Sequence, residues 1–315
     1  MNIKSIVNKY SNNYESCVIV GSGHTMNEFD YENFKGKIII SGSTILRFDK
    51  TIEPDYLVTC NNHFPVLDIP THLNFLNKFK KMIWLMSDTG CYNDVWQYNP
   101  DTFKKLKLDY ITFDDRHFRF QNCKPKKNCC NFLNIYKNRK TLFEIIENKF
   151  NTKFIHQDKI GVSVAEHSMM FAVLMGFKNI FFQGVDLPTQ FYRAMYLDSK
   201  KYYGYQSDYT EEFMKETMAI MRKKYFIYYL KNFNFKPYFQ SLIKRIQFFD
   251  KKKSFFTENI KTSLNIIDWL VEIATKNNTK VYNLSTNSSL KNIKKIENLS
   301  FVEIKENFPH LFRTP

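Results

Sequence analysis

Asp186 stands at the end of the run Ile180-Phe181-Phe182-Gln183-Gly184-Val185, where a strand would hand over to a loop. A carboxylate there can take a proton from a hydroxyl, bind a ribose hydroxyl, or hold a metal ion. Other short polar clusters end apolar runs in the same way. Gly21-Ser22-Gly23-His24 follows Ser16 to Val20, and Ser41-Gly42-Ser43 follows Lys37 to Ile40. Asn61-Asn62-His63 follows Pro54 to Cys60, and Ser285-Thr286-Asn287-Ser288 follows Thr279 to Leu284. Gly161 and Ser163 open a further apolar stretch. Glycines allow tight turns and close approach of a phosphate or sugar, while Ser, Asn and His supply hydrogen bonds. Together these groups suit a nucleotide-linked substrate. Three residues qualify as the general base of a transfer reaction, in the order Asp186, His63 and His167. Tyr192 or Tyr196 could donate to a leaving phosphate.

The elements that must hold these groups follow from hydropathy patterning. The continuous apolar runs Ser16 to Val20, Lys37 to Ile40, Pro54 to Cys60, Lys81 to Met86, Asp109 to Phe113 and Ile180 to Phe182 predict strands buried on both faces. Thr279 to Leu284 predicts a last strand. Helices are expected over 26–34 with Thr25 as cap, 141–150, a stretch from Val164 to a stop at Gly176, 210–230 and 259–276. A short helix or lead-in precedes the first strand, and residues from Leu290 onward read as a basic tail. Asp114 to His117 reads as a solvated loop or a sugar-contacting rim. The expected fold is α/β: a Rossmann-like, doubly wound, mostly parallel sheet. Its core would span 1–186 and 262–315, with a helical, Tyr-rich lid or acceptor subdomain at 187–261. That insert carries Tyr192, Tyr196, Tyr202, Tyr203, Tyr205 and Tyr209, whose flat faces and polar tips suit a sugar or base.

Composition narrows the function classes. The 315 residues carry 46 Lys and Arg against 31 Asp and Glu, a net charge of +15 that favours anionic partners. The basic residues are dispersed, and no finger or aromatic RNA signature accompanies them, so nucleic acid is not expected as a partner. The six cysteines lack C-x-x-C spacing and read as free thiols. The start lacks a signal-peptide pattern, and no apolar run approaches the roughly 18 residues of a membrane span. A cytoplasmic protein is expected, peripheral at the inner face of the membrane if 222–253 contacts lipid. That segment alternates Lys and Arg with Phe, Tyr and Ile, which fits either a membrane surface or a hairpin packed on the core. P-loop, zincin, nucleophile-elbow and kinase motifs are absent. The glycine loop lacks a third glycine and the following strand ends without an acidic residue, which argues against a nicotinamide cofactor.

Three blocks carry a resemblance. V-I-V-G-S-G-H-T-M resembles the glycine loop of two related bacterial groups: the CMP-sialic-acid-dependent sialyltransferases of the Campylobacter type, and the motility accessory factors with archaeal 6-hydroxymethylpterin diphosphokinase. G-V-S-V-A-E-H-S-M-M-F-A-V-L-M-G-F-K-N-I-F-F-Q-G-V-D-L is similar to a second block of both, and V-Y-N-L-S-T-N-S-S-L to a late strand and tip of the sialyltransferases. The blocks span about residues 15–65, 159–190 and 262–291. The resemblance implies a CMP moiety against Gly21, Ser22, Gly23, Ser43, Asn61, Ser163, Ser285 and Asn287, with His24 where the family has a proline. It implies transfer of a nonulosonic acid from a CMP-activated donor to a glycan or lipid-linked acceptor, without metal or other cofactor. The family's lid histidine has no counterpart, because no His lies between His167 and His310. Two alternatives stay open: an Mg²⁺-dependent pterin-type diphosphokinase, and a non-catalytic scaffold that keeps the nucleotide fold.

Overall fold

The computed structural model describes residues 2–13, 15–21, 23–46, 51–59, 79, 81–87, 107–114, 140–154, 164–185, 187, 260–285 and 288–313. Eight strands form one sheet: β1 Ser16–Val20, β2 Lys37–Ser41, β3 Tyr56–Thr59, β4 Ile83–Ser87, β5 Tyr110–Phe113, β6 Asn179–Gln183, β7 Lys280–Asn283 and β8 Glu297–Asn298. Their order is β5-β4-β3-β2-β1-β6-β7-β8, and every pairing is parallel. The chain builds outward from β1 to β5, then returns to the other side of β1 for β6 to β8. The order of strand addition therefore reverses between β1 and β6, the position where open α/β sheets leave a crevice.

Side chains alternate across the sheet and build a core on each face. Cys17 and Ile19 point to one face, where α1 Leu142–Phe150, α2 Val164–Met175 and α3, over 260–276, pack. Val18 and Val20 point to the other, which holds Met26, Phe29, Tyr31, Phe34, Ile304, Leu311 and Phe312. α2 is buried from Ala165 to Met175, so apolar residues all round suit it better than a stripe. It ends at Gly176, whose φ of +81° is a left-handed cap conformation. The lead-in segment satisfies the exposed end of α2: the Asn8 and Tyr10 N–H groups donate to the Leu174 and Met175 carbonyls, each at 2.8 Å. Lys149 Nζ also donates to the Leu174 carbonyl, at 2.9 Å.

Three expectations are corrected. The segment after β1 forms a short 3-10 turn, His24–Glu28, and not a helix to residue 34. Phe29 is extended at φ −99° and ψ 139°, and the Thr25 hydroxyl is spent on Ser285 instead of capping. The C-terminal part is built structure, not a tail. It contains the 3-10 turn Ser289–Asn292, β8, and α4 Phe301–Asn307, which opens with a Ser300/Glu303 capping box. Asp114 is 1% exposed and its backbone carbonyl accepts the Leu142 N–H at 2.8 Å, so it is a helix-entry residue and not a solvated one. Residues 115–117 and the helix expected over 210–230 lie outside the described residues, as does the lid region apart from Leu187, Ile260 and Lys261.

The C-terminal segment buttresses the turn after β1. The Lys35 N–H donates to the Leu311 carbonyl and the Arg313 N–H to the Asn33 carbonyl, both at 2.8 Å, around a Phe34–Phe312 bridge. Lys305 pairs with Asp30 at 2.9 Å and lies over the Phe301 and Phe312 rings. Among the described residues no helix is long and apolar enough to cross a membrane.

Candidate functional site

The loop after β1 and the tip of β6 pass each other at backbone contact. The Gly21 N–H donates to the Gln183 carbonyl at 2.8 Å, and the Gly23 N–H to the Gly184 carbonyl at 2.6 Å. A Cβ on Gly21 would lie 2.4 Å from the Gly184 oxygen, and one on Gly184 would lie 2.7 Å from the Gly21 oxygen. Gly184 also has φ +64°. Both glycines are thus required by the crossing of two strand ends. The N–H groups that a glycine loop could offer to an anion at Gly21 and Gly23 are already committed to β6.

Side chains extend this seam to β7. Thr25 Oγ1 donates to Ser285 Oγ at 3.0 Å, and both residues are buried. Gln183 Nε2 donates to the Thr25 carbonyl. Asn283 closes a turn with Ser285: its Oδ1 accepts the Ser285 N–H at 3.2 Å and its Nδ2 donates to the Ser285 carbonyl at 3.1 Å. The same Nδ2 reaches Asn298 Oδ1 at 2.8 Å, and Ser288 Oγ donates to the Val185 carbonyl. The ends of β1, β6 and β7 therefore form one hydrogen-bonded rim.

A second contact joins the tip of β2 to the start of α2. The Ser41 and Ser168 hydroxyls lie 2.8 Å apart, and Ser168 Oγ also donates to the Val164 carbonyl at 3.1 Å. Gly42, at φ +60°, lies against Val164, whose Cγ2 would be 3.3 Å from an added Cβ. This contact sets the backbone of Ser43, inside the 3-10 turn Gly42–Leu46, beside the first turn of α2.

The sequence candidates divide accordingly. Gly21, Gly23 and Ser285 meet on the β1–β6–β7 rim, and the His24 backbone lies in the turn that leaves it. Ser285 is fully buried, with its hydroxyl engaged by Thr25. His167 is 7% exposed and its ring centroid lies 5.7 Å from that of Phe113 at the end of β5. It lies on α2, against the end of β5 and away from the Gly21–Gly184 contact. Ser22, Asn61, His63, Ser163, Asp186, Tyr192, Tyr196 and Asn287 lie outside the described residues. Leu187, the residue after Asp186, has φ +39°, an uncommon left-handed value for a branched side chain. Thr25 and Gln183 were missed by sequence reasoning. In sequence Thr25 has the form of a cap, and a Gln inside an apolar strand marks a partner that only the topology supplies.

Electrostatics at the rim come from dipoles, since the groups that bond there are neutral. The titrations that shift lie elsewhere. Burial pushes the Lys149 amine down to about 8. Burial, aided by Glu297, pushes the Tyr282 hydroxyl up to about 12. Burial, with Asp55 adding to it, holds the Cys17 thiol well above its ordinary range. No group of three His, Cys, Asp or Glu that could hold a metal ion occurs among the described residues.

The chain matches no protein-family model and no curated protein. It is similar in structure to the MAf glycosyltransferase from Magnetospirillum magneticum AMB-1, at 17% identity and TM-score 0.31 over 58% of this chain. It spans only 24% of that protein's length. It is also similar to a point variant of the α-2,3/8-sialyltransferase CstII, at 15% identity and TM-score 0.37, over 90% of this chain and 86% of that one. CstII from Campylobacter jejuni in complex with the substrate analogue CMP-3FNeuAc gives 15% identity and TM-score 0.35, over 90% and 85% of the two chains. Matches of this strength carry no conclusion about substrate or chemistry.

Proposed function

We propose that the chain is a glycosyltransferase that takes a sugar from a CMP-activated donor, in the manner of a sialyltransferase. The observation that carries this reading is the rim itself: the polar ends of β1, β6 and β7 are bonded together where the strand order reverses, through Thr25, Gln183 and Ser285. A nucleotide is the ligand such a crevice suits, because its base, ribose and phosphate can each meet a different strand end. The resemblance of the blocks around Gly21, Val164 and Tyr282 to CMP-dependent sialyltransferases supports the choice of nucleotide.

On this reading the base and ribose lie along the β1 and β7 tips, and the sugar faces the segment that begins at Asp186. Asp186 takes the proton of an acceptor hydroxyl as that oxygen attacks the anomeric carbon. The bond from that carbon to the CMP phosphate breaks, and Tyr192 or Tyr196 donates a hydrogen bond to the departing phosphate. The burial of His167 against Phe113 favours Asp186 over it as base. The acceptor is a surface glycan or a lipid-linked sugar, which would place 222–253 near a membrane. The test is transfer from CMP-sialic acid to a labelled lactoside by the protein and by Asp186→Asn. Loss of transfer by at least about a hundredfold with an unchanged melting curve supports the role of Asp186. Full activity in the variant removes Asp186 from the site.

A further inference from the structure

The carboxamide of Gln183 is half used. Gln183 ends β6, pairs with Val20 across the seam with β1, and is 1% exposed. Its Nε2 donates to the Thr25 carbonyl, while its buried Oε1 has no hydrogen-bond partner among the described residues. The Nε2 bond fixes the way the amide faces, since a flipped amide would set one oxygen against another. The nearest glycine-loop donors are spent: the Gly21 N–H on the Gln183 backbone carbonyl and the Gly23 N–H on the Gly184 carbonyl.

A buried acceptor left without a donor costs about 1–3 kcal/mol, and such atoms are few enough in folded proteins that each calls for a cause. Methionine would fill a similar volume without that cost. The orphan also lies at the end of β6 beside β1, where the strand order reverses. We infer that Gln183 Oε1 accepts a hydrogen bond from an N–H or O–H donor on the nucleoside part of the ligand, which makes Gln183 a specificity-determining residue. The inference rests on the nucleotide reading above. The cytosine amino group or the ribose 2′-hydroxyl is that donor, whereas the oxygen that uracil carries in place of the amine cannot be. A site that leaves its own acceptor unpaired with the wrong ligand discriminates strongly. Oε1 is shielded from solvent, so water competes weakly for it.

Titration calorimetry of the full chain with CMP, UMP and 2′-deoxy-CMP tests this, using the natural protein, Gln183→Met and Gln183→Glu. The natural protein should bind either UMP or 2′-deoxy-CMP at least about tenfold more weakly than CMP. Weak UMP identifies the base amine as the donor, and weak 2′-deoxy-CMP the ribose hydroxyl. Gln183→Met should shrink the discrimination to about twofold or less, with folding checked by circular dichroism. Gln183→Glu, titrated at about pH 5 so that the buried acid is protonated, keeps both a donor to the Thr25 carbonyl and an acceptor oxygen and should keep the ranking, which decides the matter if the Met variant does not fold. Wild-type ranking in folded Gln183→Met, equal binding of the three ligands by the natural protein, or loss of ranking in Gln183→Glu would each overturn the inference while leaving the nucleotide reading in place. Binding of none of the three by the natural protein overturns that reading, and the inference with it.

Discussion

Thr25 and Ser285, 260 positions apart in sequence, meet in a buried hydroxyl–hydroxyl hydrogen bond of 3.0 Å. It ties the turn after β1 to the tip of β7, across the end of β6. Thr25→Val keeps the shape but removes the bond, and should cost about 1 kcal/mol in urea unfolding. A double-mutant cycle with Ser285→Ala should return a coupling of about 0.5–1.5 kcal/mol. Additivity within about 0.3 kcal/mol would show that the two hydroxyls do not act together.

The crossing of Gly21 and Gly184 is tighter than any side chain tolerates. Gly21→Ala would press a methyl group onto the Gly184 backbone at 2.4 Å. Overpacking of this kind costs about 1–3 kcal/mol. At Gly36 an added Cβ would also meet backbone, the Ser16 oxygen at 2.5 Å, but remote from the rim. Chemical denaturation should show both variants destabilised, with nucleotide affinity in the surviving folded fraction reduced only for Gly21→Ala. Equal affinity in the two would separate the crossing from the site.

The C-terminal segment holds the turn after β1, so damage there should be felt by the whole fold. Phe312 is 6% exposed and packs against Phe29, Phe34 and Phe301. Phe312→Ala should cost about 3–5 kcal/mol in equilibrium unfolding. Ser300→Ala removes the capping-box hydroxyl of α4 and should cost about 1 kcal/mol. A Phe312→Ala variant as stable as the natural protein would mean that the segment is dispensable.

Lys149 gives a pH dependence with a definite sign. Burial depresses its amine in the folded chain to about 8, below the ordinary value it regains on unfolding. Between those two values the unfolded chain binds more protons, so this group makes stability rise with pH from about 8 upward. Lys149→Met lacks the titration and also loses the bond to the Leu174 carbonyl. The stability of the natural protein relative to this variant should therefore climb between neutral and alkaline pH in parallel denaturation series. A flat difference would place the amine in water.

The strands were legible because a parallel sheet buried on both faces needs unbroken apolar runs, and β1, β2 and β6 have them. α2 was legible for the same reason, with Gly176 marking its end. The turn after β1 was not. Met26, Phe29 and Phe34 fit a helix as well as the folded-over 3-10 turn, and the deciding contacts come from Phe301 and Phe312 at the far end of the chain. Ser300 and Glu303 spell a capping box that could have revealed α4, whereas β8 has two exposed residues and no pattern to see. At the rim, residue types indicated the right loops but not the use of each atom. The Gly21 and Gly23 amides looked free for a phosphate and are instead bonded to the β6 tip, a fact of topology that local spacing cannot encode.

The most direct test of a pyrimidine-nucleotide crevice at the β1–β6 reversal is a thermal-shift series with CMP, CDP, UDP and ATP, each with and without Mg²⁺. A rise in melting temperature with CMP or CDP that does not need the metal is the predicted result. At ligand a hundredfold above Kd, the stabilisation should be about 2.7 kcal/mol. A shift with ATP and Mg²⁺ alone, or with none of the four, would contradict it.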